Sequence, residues 1–170
     1  KSEISIFGHN RDSIERRAIT LDVRNDPAEK GNFRHYMQKE IFEQPEAVKK
    51  TLAGRLGKNK VLVDCFGVGA ESIFQKVKSI QIIGCGSSYY SGLVAKYWFE
   101  QLVGVSCQVD IASEFRYRKN VVHENTILVA ISQSGETADT LAAVRNIEDE
   151  DYLATLSLCN TPNSSLVRET

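Results

Sequence analysis

Four short apolar runs, Ile80 to Ile83, Ser106 to Ile111, Thr126 to Ile131 and Leu153 to Leu158, recur between stretches whose apolar residues are spaced as on helices. Runs this short are too brief for helices, and those at Ile80 and Thr126 are too continuously apolar for strands with one wet face. They read as strands buried on both sides. Between the runs, Glu71 to Val77, Ser88 to Leu102 and Glu136 to Ile147 read as helices, and Ser113 to Tyr117 as a short helical turn. Strands joined by helical crossovers close right-handed onto a parallel sheet. The expected fold is therefore α/β: a doubly wound, mainly parallel sheet with helices on both faces. Ser164 to Thr170 reads as a helix just starting with no strand after it, which suggests that the chain stops short of the domain's end.

The stretch before this repeat is less regular. Ile4 and Ile6 alternate, Gly8-His9-Asn10 and Arg11-Asp12 interrupt, and apolar residues resume at Ile14 and Ile19, a pattern that fits a hairpin or an interdomain tail. After a polar break from Asp26-Pro27 to Gly31, the residues Phe33, Tyr36, Met37, Ile41, Phe42, Val48 and Leu52 predict one or two helices. Pro45 either opens the second or kinks the first. From Gly54 to Gly69 only Val61-Leu62-Val63 suggests structure, a short strand.

In open parallel sheets, ligands bind beyond the carboxyl ends of the strands, where helix N-termini present unpaired N–H groups. Two loops fall there. Gly84-Cys85-Gly86-Ser87-Ser88 follows the first buried strand; its glycines permit a tight turn, and its serines can cap the next helix or donate to an anion. Taken alone, that loop is accounted for by helix capping. Ser132-Gln133-Ser134-Gly135-Glu136-Thr137 follows the third strand and holds more hydroxyls than a cap requires. Ser134 as an N-cap and Glu136 against the helix dipole would explain two of its residues and leave Gln133 and Thr137 without a reason. Neutral hydroxyls around successive backbone N–H groups suit a monophosphate instead.

Other ligand classes fit poorly. Neither loop contains the Lys that nucleoside triphosphate sites recruit. Gly84-x-Gly86 is followed by Tyr89 where the dinucleotide fingerprint needs its third glycine. With 21 basic and 22 acidic residues, the chain offers no field for nucleic acid or anionic lipid. Its longest apolar runs fall far short of the roughly 20 residues that cross a bilayer, and its first residues lack the organisation of a secretory signal, so a cytoplasmic location is expected. Cys65, Cys85, Cys107 and Cys159 are widely separated, as are His9, His35 and His123. Reduced and mostly buried thiols are expected, with no metal and no cofactor.

At these two loops the sequence resembles the sugar isomerase (SIS) domain. Longer strings narrow the resemblance to the glutamine–fructose-6-phosphate aminotransferases, or glucosamine-6-phosphate synthases. They are Phe33-Arg34-His35-Tyr36-Met37-Gln38-Lys39-Glu40-Ile41 with Glu43-Gln44-Pro45, then Ala112-Ser113-Glu114-Phe115-Arg116-Tyr117-Arg118, Ser132 to Thr140 and Ser164 to Glu169. The resemblance runs from Gly31 to the end, with a variable stretch from Gly57 to Gly69.

It implies a flavodoxin-like SIS fold, with 31–170 as the first SIS subdomain and 1–30 as an interdomain linker. It further implies that Cys85, Gly86, Ser87 and Ser88 line the sugar site, and that Ser132, Gln133, Ser134 and Thr137 hold the phosphate of fructose 6-phosphate. Ser87 stands where the family commonly has threonine, which keeps the hydroxyl. The family joins ammonia from glutamine to fructose 6-phosphate and isomerises the product to glucosamine 6-phosphate, for UDP-N-acetylglucosamine. Its glutaminase domain lies upstream, and its carboxylate base, ring-opening histidine and imine-forming lysine lie in the second SIS half, beyond Thr170. No catalytic residue is therefore expected in this segment, which would work with those parts in cis and as a homodimer. A non-catalytic, sugar-phosphate-sensing SIS module is the alternative, placed second because it would need an attached helix-turn-helix and no basic recognition helix precedes Gly31; a nucleotide-binding domain comes third.

Overall fold

A computed structural model describes residues 5–7, 12–14, 30–148 and 150–170 of the chain. It divides into two compact units, Lys1–Ala53 and Gly54–Thr170.

In the first unit, one α-helix, α1 (Tyr36–Leu52), takes up the apolar positions between Phe33 and Leu52. Pro45 lies inside it, so of the one or two helices expected there is one, and no second helix opens at Gln44-Pro45. Proline forfeits one N–H and its ring crowds the carbonyl four residues back, yet good helix formers on both sides sustain the run. Phe33 stacks on Phe42, with ring centroids 5.7 Å apart. Of the expected hairpin, an antiparallel bridge joins Phe7 to Ser13, and Ile14 N–H donates to the Ile6 carbonyl at 2.8 Å. The remainder of that stretch, including Ile4, His9 and Ile19, lies outside the described residues, as does most of the expected 1–30 linker.

The second unit holds the sheet: β1 (Ser79–Gly84), β2 (Ser106–Ile111), β3 (Thr126–Ser132) and β4 (Ala154–Cys159). All pairings are parallel, in the order β2-β1-β3-β4. Its helices are α2 (Ala70–Phe74), α3 (Ser87–Trp98), α4 (Ala112–Phe115), α5 (Ala138–Arg145) and α6 (Ser165–Glu169). The last turn of the expected Ser88–Leu102 helix, Phe99–Val103, widens to π geometry before Gly104. Val61 to Val63 form no strand: Val61 makes an isolated bridge to Leu56, and Val63–Phe66 is a 3-10 turn.

Period-two alternation sorts each strand's side chains onto two cores. On one face Ile83, Leu128 and Ala130 pack with Phe115 of α4, Leu141 and Val144 of α5 and Leu166 of α6. On the other, Ile80, Ile82, Cys107, Ile127 and Val129 meet Phe74 of α2 and Ala95 of α3. Because β1 connects outward to β2 while β3 leaves on its other side, the strand order reverses between β1 and β3. That reversal is where an open α/β sheet leaves a crevice at its carboxyl edge.

Of the four thiols only Cys107 is buried; Cys65 is exposed, and Cys85 and Cys159 are half-buried, so the expectation of mostly buried thiols is not met. Burial pushes the Cys107 thiol from 9.0 up to about 11, and the Tyr152 phenol from 10.0 up to about 12. A raised acid keeps its proton longer in the folded chain than in the unfolded one. Stability from these groups is therefore complete below pH 9 and is lost as pH rises through about 11 and about 12. Urea denaturation across that window is expected to show falling stability, and Cys107→Ala to flatten the slope between pH 9.0 and about 11.

Candidate functional site

The loops after β1 and β3 start side by side, because the β1/β3 register pairs Gly84 with Ile131. In the first loop Cys85 is half-buried, Gly86 is the N-cap residue of α3, and Ser87 and Ser88 occupy its first turn. Gly86 has no side chain with which to cap, and among the described residues no hydrogen bond is made by the hydroxyl of Ser87 or Ser88. The backbone closes the turn by itself, through Ser88 N–H to Cys85 O at 3.2 Å and Tyr90 N–H to Gly86 O at 3.2 Å. Two serine hydroxyls are thus left over at the start of a helix whose first N–H groups lack intrahelical partners.

The second loop is a compact hydrogen-bonded turn. Ser132, buried at the end of β3, accepts the Gly135 N–H on its Oγ at 3.0 Å, and the same Oγ lies 3.2 Å from Thr137 Oγ1. Ser134 Oγ accepts the Glu136 N–H at 3.1 Å. Thr137, not Ser134, is the N-cap residue of α5, and its side chain makes no cap bond. The helix therefore starts two residues later than expected, at Ala138. Glu136 does not serve the α5 dipole either: its Oε1 accepts the Ser165 N–H at 2.7 Å, at the first turn of α6. That N–H, then the Ser165 hydroxyl, holds the Glu136 carboxyl below its ordinary value. Capping, the bland explanation for these side chains, fails for Ser134, Glu136 and Thr137 alike. What remains is a cluster of hydroxyls and N–H groups, bonded within the loop as Ser132 with Gly135 and Thr137 and as Ser134 with Glu136, and able to turn to an anion.

Gly135 makes this turn possible. Its φ is +67°, a region that L side chains rarely enter, and a Cβ there would overlap Ser164 and meet Cys159 Sγ at 2.8 Å. Cys159 and Ser164, which crowd it, and Thr161 and Ser165, which bond to its neighbours, were given no part in this loop by the sequence. They lie some thirty positions downstream, and no local pattern announces such contacts.

Other hollows are less suited to phosphate. One, lined by Phe66, Ile73, Phe74, Ile127 and Leu156, is apolar. Another includes Gln81, Gln108, Arg118, Lys119 and His123, but Arg118 is paired to Asp110 at 2.7 Å and to Asn120 at 2.7 Å. Arg116 likewise pairs with Asp139 at 2.7 Å, so the charged string around Glu114 is a salt-bridged surface. Among the described residues, no group of three His, Cys, Asp or Glu could hold a metal, and no helix is long and apolar enough to cross a membrane.

Comparison with known proteins agrees with this topology. Residues 73–170 match the model of the SIS domain. The chain is 53% identical over 166 residues to the glutamine–fructose-6-phosphate aminotransferase (isomerizing) of Haemophilus influenzae, covering 98% of this chain and 27% of that protein. With the enzyme of the same name from Pseudomonas putida it shares 51% identity, over 99% of this chain and 28% of the relative. Among solved structures, it is similar to the C-terminal domain of glucosamine-fructose-6-phosphate aminotransferase from Francisella tularensis. The TM-score is 0.78 at 50% identity, over 84% of this chain and 40% of that one. The chain thus spans little more than a quarter of the length of the curated relatives it matches.

Replacing Gly135 by alanine is expected to destabilise the chain by about 2–3 kcal/mol, from the positive φ and the displaced Ser164, as read by urea denaturation.

Proposed function

The chain belongs to the SIS domain family, and from that membership and the geometry at the switch point we propose that it binds the phosphate and sugar of fructose 6-phosphate. Ser132, Gln133, Ser134 and Thr137 take the phosphate; Cys85, Gly86, Ser87 and Ser88 line the sugar. The reading rests on one observation above the others: the hydroxyls of Ser134, Thr137, Ser87 and Ser88 cap no helix, although Thr137 stands at the N-cap position of α5 and Ser87 and Ser88 in the first turn of α3. Both loops also flank the reversal between β1 and β3, where ligands of such sheets bind.

No Lys or Arg lies in either loop. Such a cradle recognises a phosphate by direction, through several neutral donors, with the partial charge of the α3 and α5 N-termini added. It discriminates the phosphorylated sugar from the free one without the strong non-selective pull of a lysine cluster. A sugar held by its phosphate at one loop keeps its carbons over the other, where a reacting group brought by another segment could reach them.

In this proposal, residues 31–170 are the first SIS subdomain of a glutamine–fructose-6-phosphate aminotransferase and 1–30 the linker before it. The whole enzyme, a cytoplasmic homodimer, makes glucosamine 6-phosphate for UDP-N-acetylglucosamine. Its glutaminase domain and second SIS half act in cis and carry the catalytic groups. The near-identity in kind of the relatives, all matched along almost the full chain, supports this assignment.

Calorimetric titration with fructose 6-phosphate, fructose and a nucleotide tests it. Binding is expected for the phosphorylated sugar alone, and Ser134→Ala is expected to weaken it about tenfold, as loss of one hydrogen bond to a charged group. Selective nucleotide binding, or equal binding of free fructose, would contradict the assignment.

A further inference from the structure

The hydroxyl loop is held from outside by the chain that follows β4. Thr161 Oγ1 donates to the Gln133 carbonyl at 3.2 Å, Leu166 N–H to the Gly135 carbonyl at 3.1 Å, and Ser165 N–H to Glu136 Oε1 at 2.7 Å. Ser164 Oγ, with Cys159 Sγ 3.4 Å from it, fills the space that Gly135 leaves by having no Cβ. The segment supplying these contacts is itself anchored. Arg145 Nε of α5 donates to Glu169 Oε2 of α6 at 2.8 Å, and Thr170 Oγ1 to Ser157 Oγ of β4 at 2.7 Å.

These ties are selective. They take the carbonyls of Gln133 and Gly135 and the carboxylate of Glu136, while the hydroxyls of Ser132, Ser134 and Thr137 bond within the loop. Glu136 makes the one side-chain link from the loop to α6, and a carboxylate accepting a backbone N–H is a charge-assisted bond. It also satisfies a first-turn N–H that α6 cannot pair internally.

We propose that Glu136 is a positioning residue for phosphate binding: its carboxylate ties the loop to the first turn of α6 and fixes the Gly135 turn before the ligand arrives. The inference rests on reading that loop as the phosphate cradle. A site whose donors already converge avoids the cost of ordering them on binding, so loss of the tie weakens affinity without touching the phosphate. The same reasoning separates Glu136 from proton transfer. A proton carrier fails when its carboxylate becomes an amide, whereas a tie needs only the acceptor oxygen that glutamine keeps.

Fructose 6-phosphate affinity and amide hydrogen exchange at Ser165 would be measured for the unsubstituted chain, Glu136→Ala, Glu136→Gln and Ser134→Ala. Glu136→Ala is expected to bind about tenfold more weakly and to exchange faster at Ser165; Glu136→Gln is expected to stay within about threefold of the unsubstituted chain. Because Glu136 is exposed and Ser134 is only half-buried, all variants are expected to keep the unfolding midpoint of the parent to within a few degrees. If Ser134→Ala weakens binding while Glu136→Ala does not, the positioning role is overturned and the cradle stands. If Glu136→Gln loses as much as Glu136→Ala, the charge and not the tie is what matters, and the proposal fails. If Ser134→Ala leaves binding unchanged, the cradle reading itself falls and the proposal with it.

Discussion

Gly84 lies in parallel register opposite Ile131, so close that a Cβ on it would stand 3.2 Å from the Ile131 carbonyl and 3.2 Å from Ser88. Strand end, neighbouring strand and the start of α3 therefore converge at one glycine, and the position of both loops follows from that contact. Moving β1 by one residue against β3 would turn every core side chain to the opposite face, so two apolar cores enforce the register. Ile80 and Ile82 on one side, and Ile83 with Leu128 and Ala130 on the other, are all almost completely excluded from solvent. The core thus fixes where the chemistry-bearing loops begin, and the loops need only decide how they end.

They end differently. The first is closed by backbone alone and leaves two serine hydroxyls free among the described residues. The second is braced three times from the segment after β4, at Gln133, Gly135 and Glu136. A sugar phosphate asks for this difference: the charged group wants donors already in place, while the polyol end tolerates adaptable ones. The absence of a fixed cation at either loop is consistent with a ligand carrying one phosphate, whose charge helix N-termini and neutral donors can match.

Much of the fold was legible because it depends on local pattern. Ile80 to Ile83 and Thr126 to Ile131 are continuous apolar runs, and both became central strands with boundaries within a residue of expectation. Leu153 to Leu158 shifted by one, since Leu153 instead donates its N–H to Thr126 O just ahead of the strand. Failures came where a local signal had two uses. Ser134 and Glu136 imitate a capping pair, yet Glu136 reaches α6 and the helix begins at Ala138. Pro45 left one helix or two open, and α1 runs through it as one. Val61-Leu62-Val63 has strand composition but only the single bridge of Val61 to Leu56 to pair with. The clasp around Gly135 was illegible in principle, because Thr161, Ser165 and Leu166 gain their meaning from tertiary contacts alone.

The most direct test is a crystal structure of the chain grown with fructose 6-phosphate. The account predicts the phosphate within hydrogen-bond distance of Ser134 and Thr137, with the sugar lying toward Cys85, Gly86, Ser87 and Ser88. A phosphate bound elsewhere, or a loop whose hydroxyls keep their mutual bonds while the sugar is held by other residues, would contradict it.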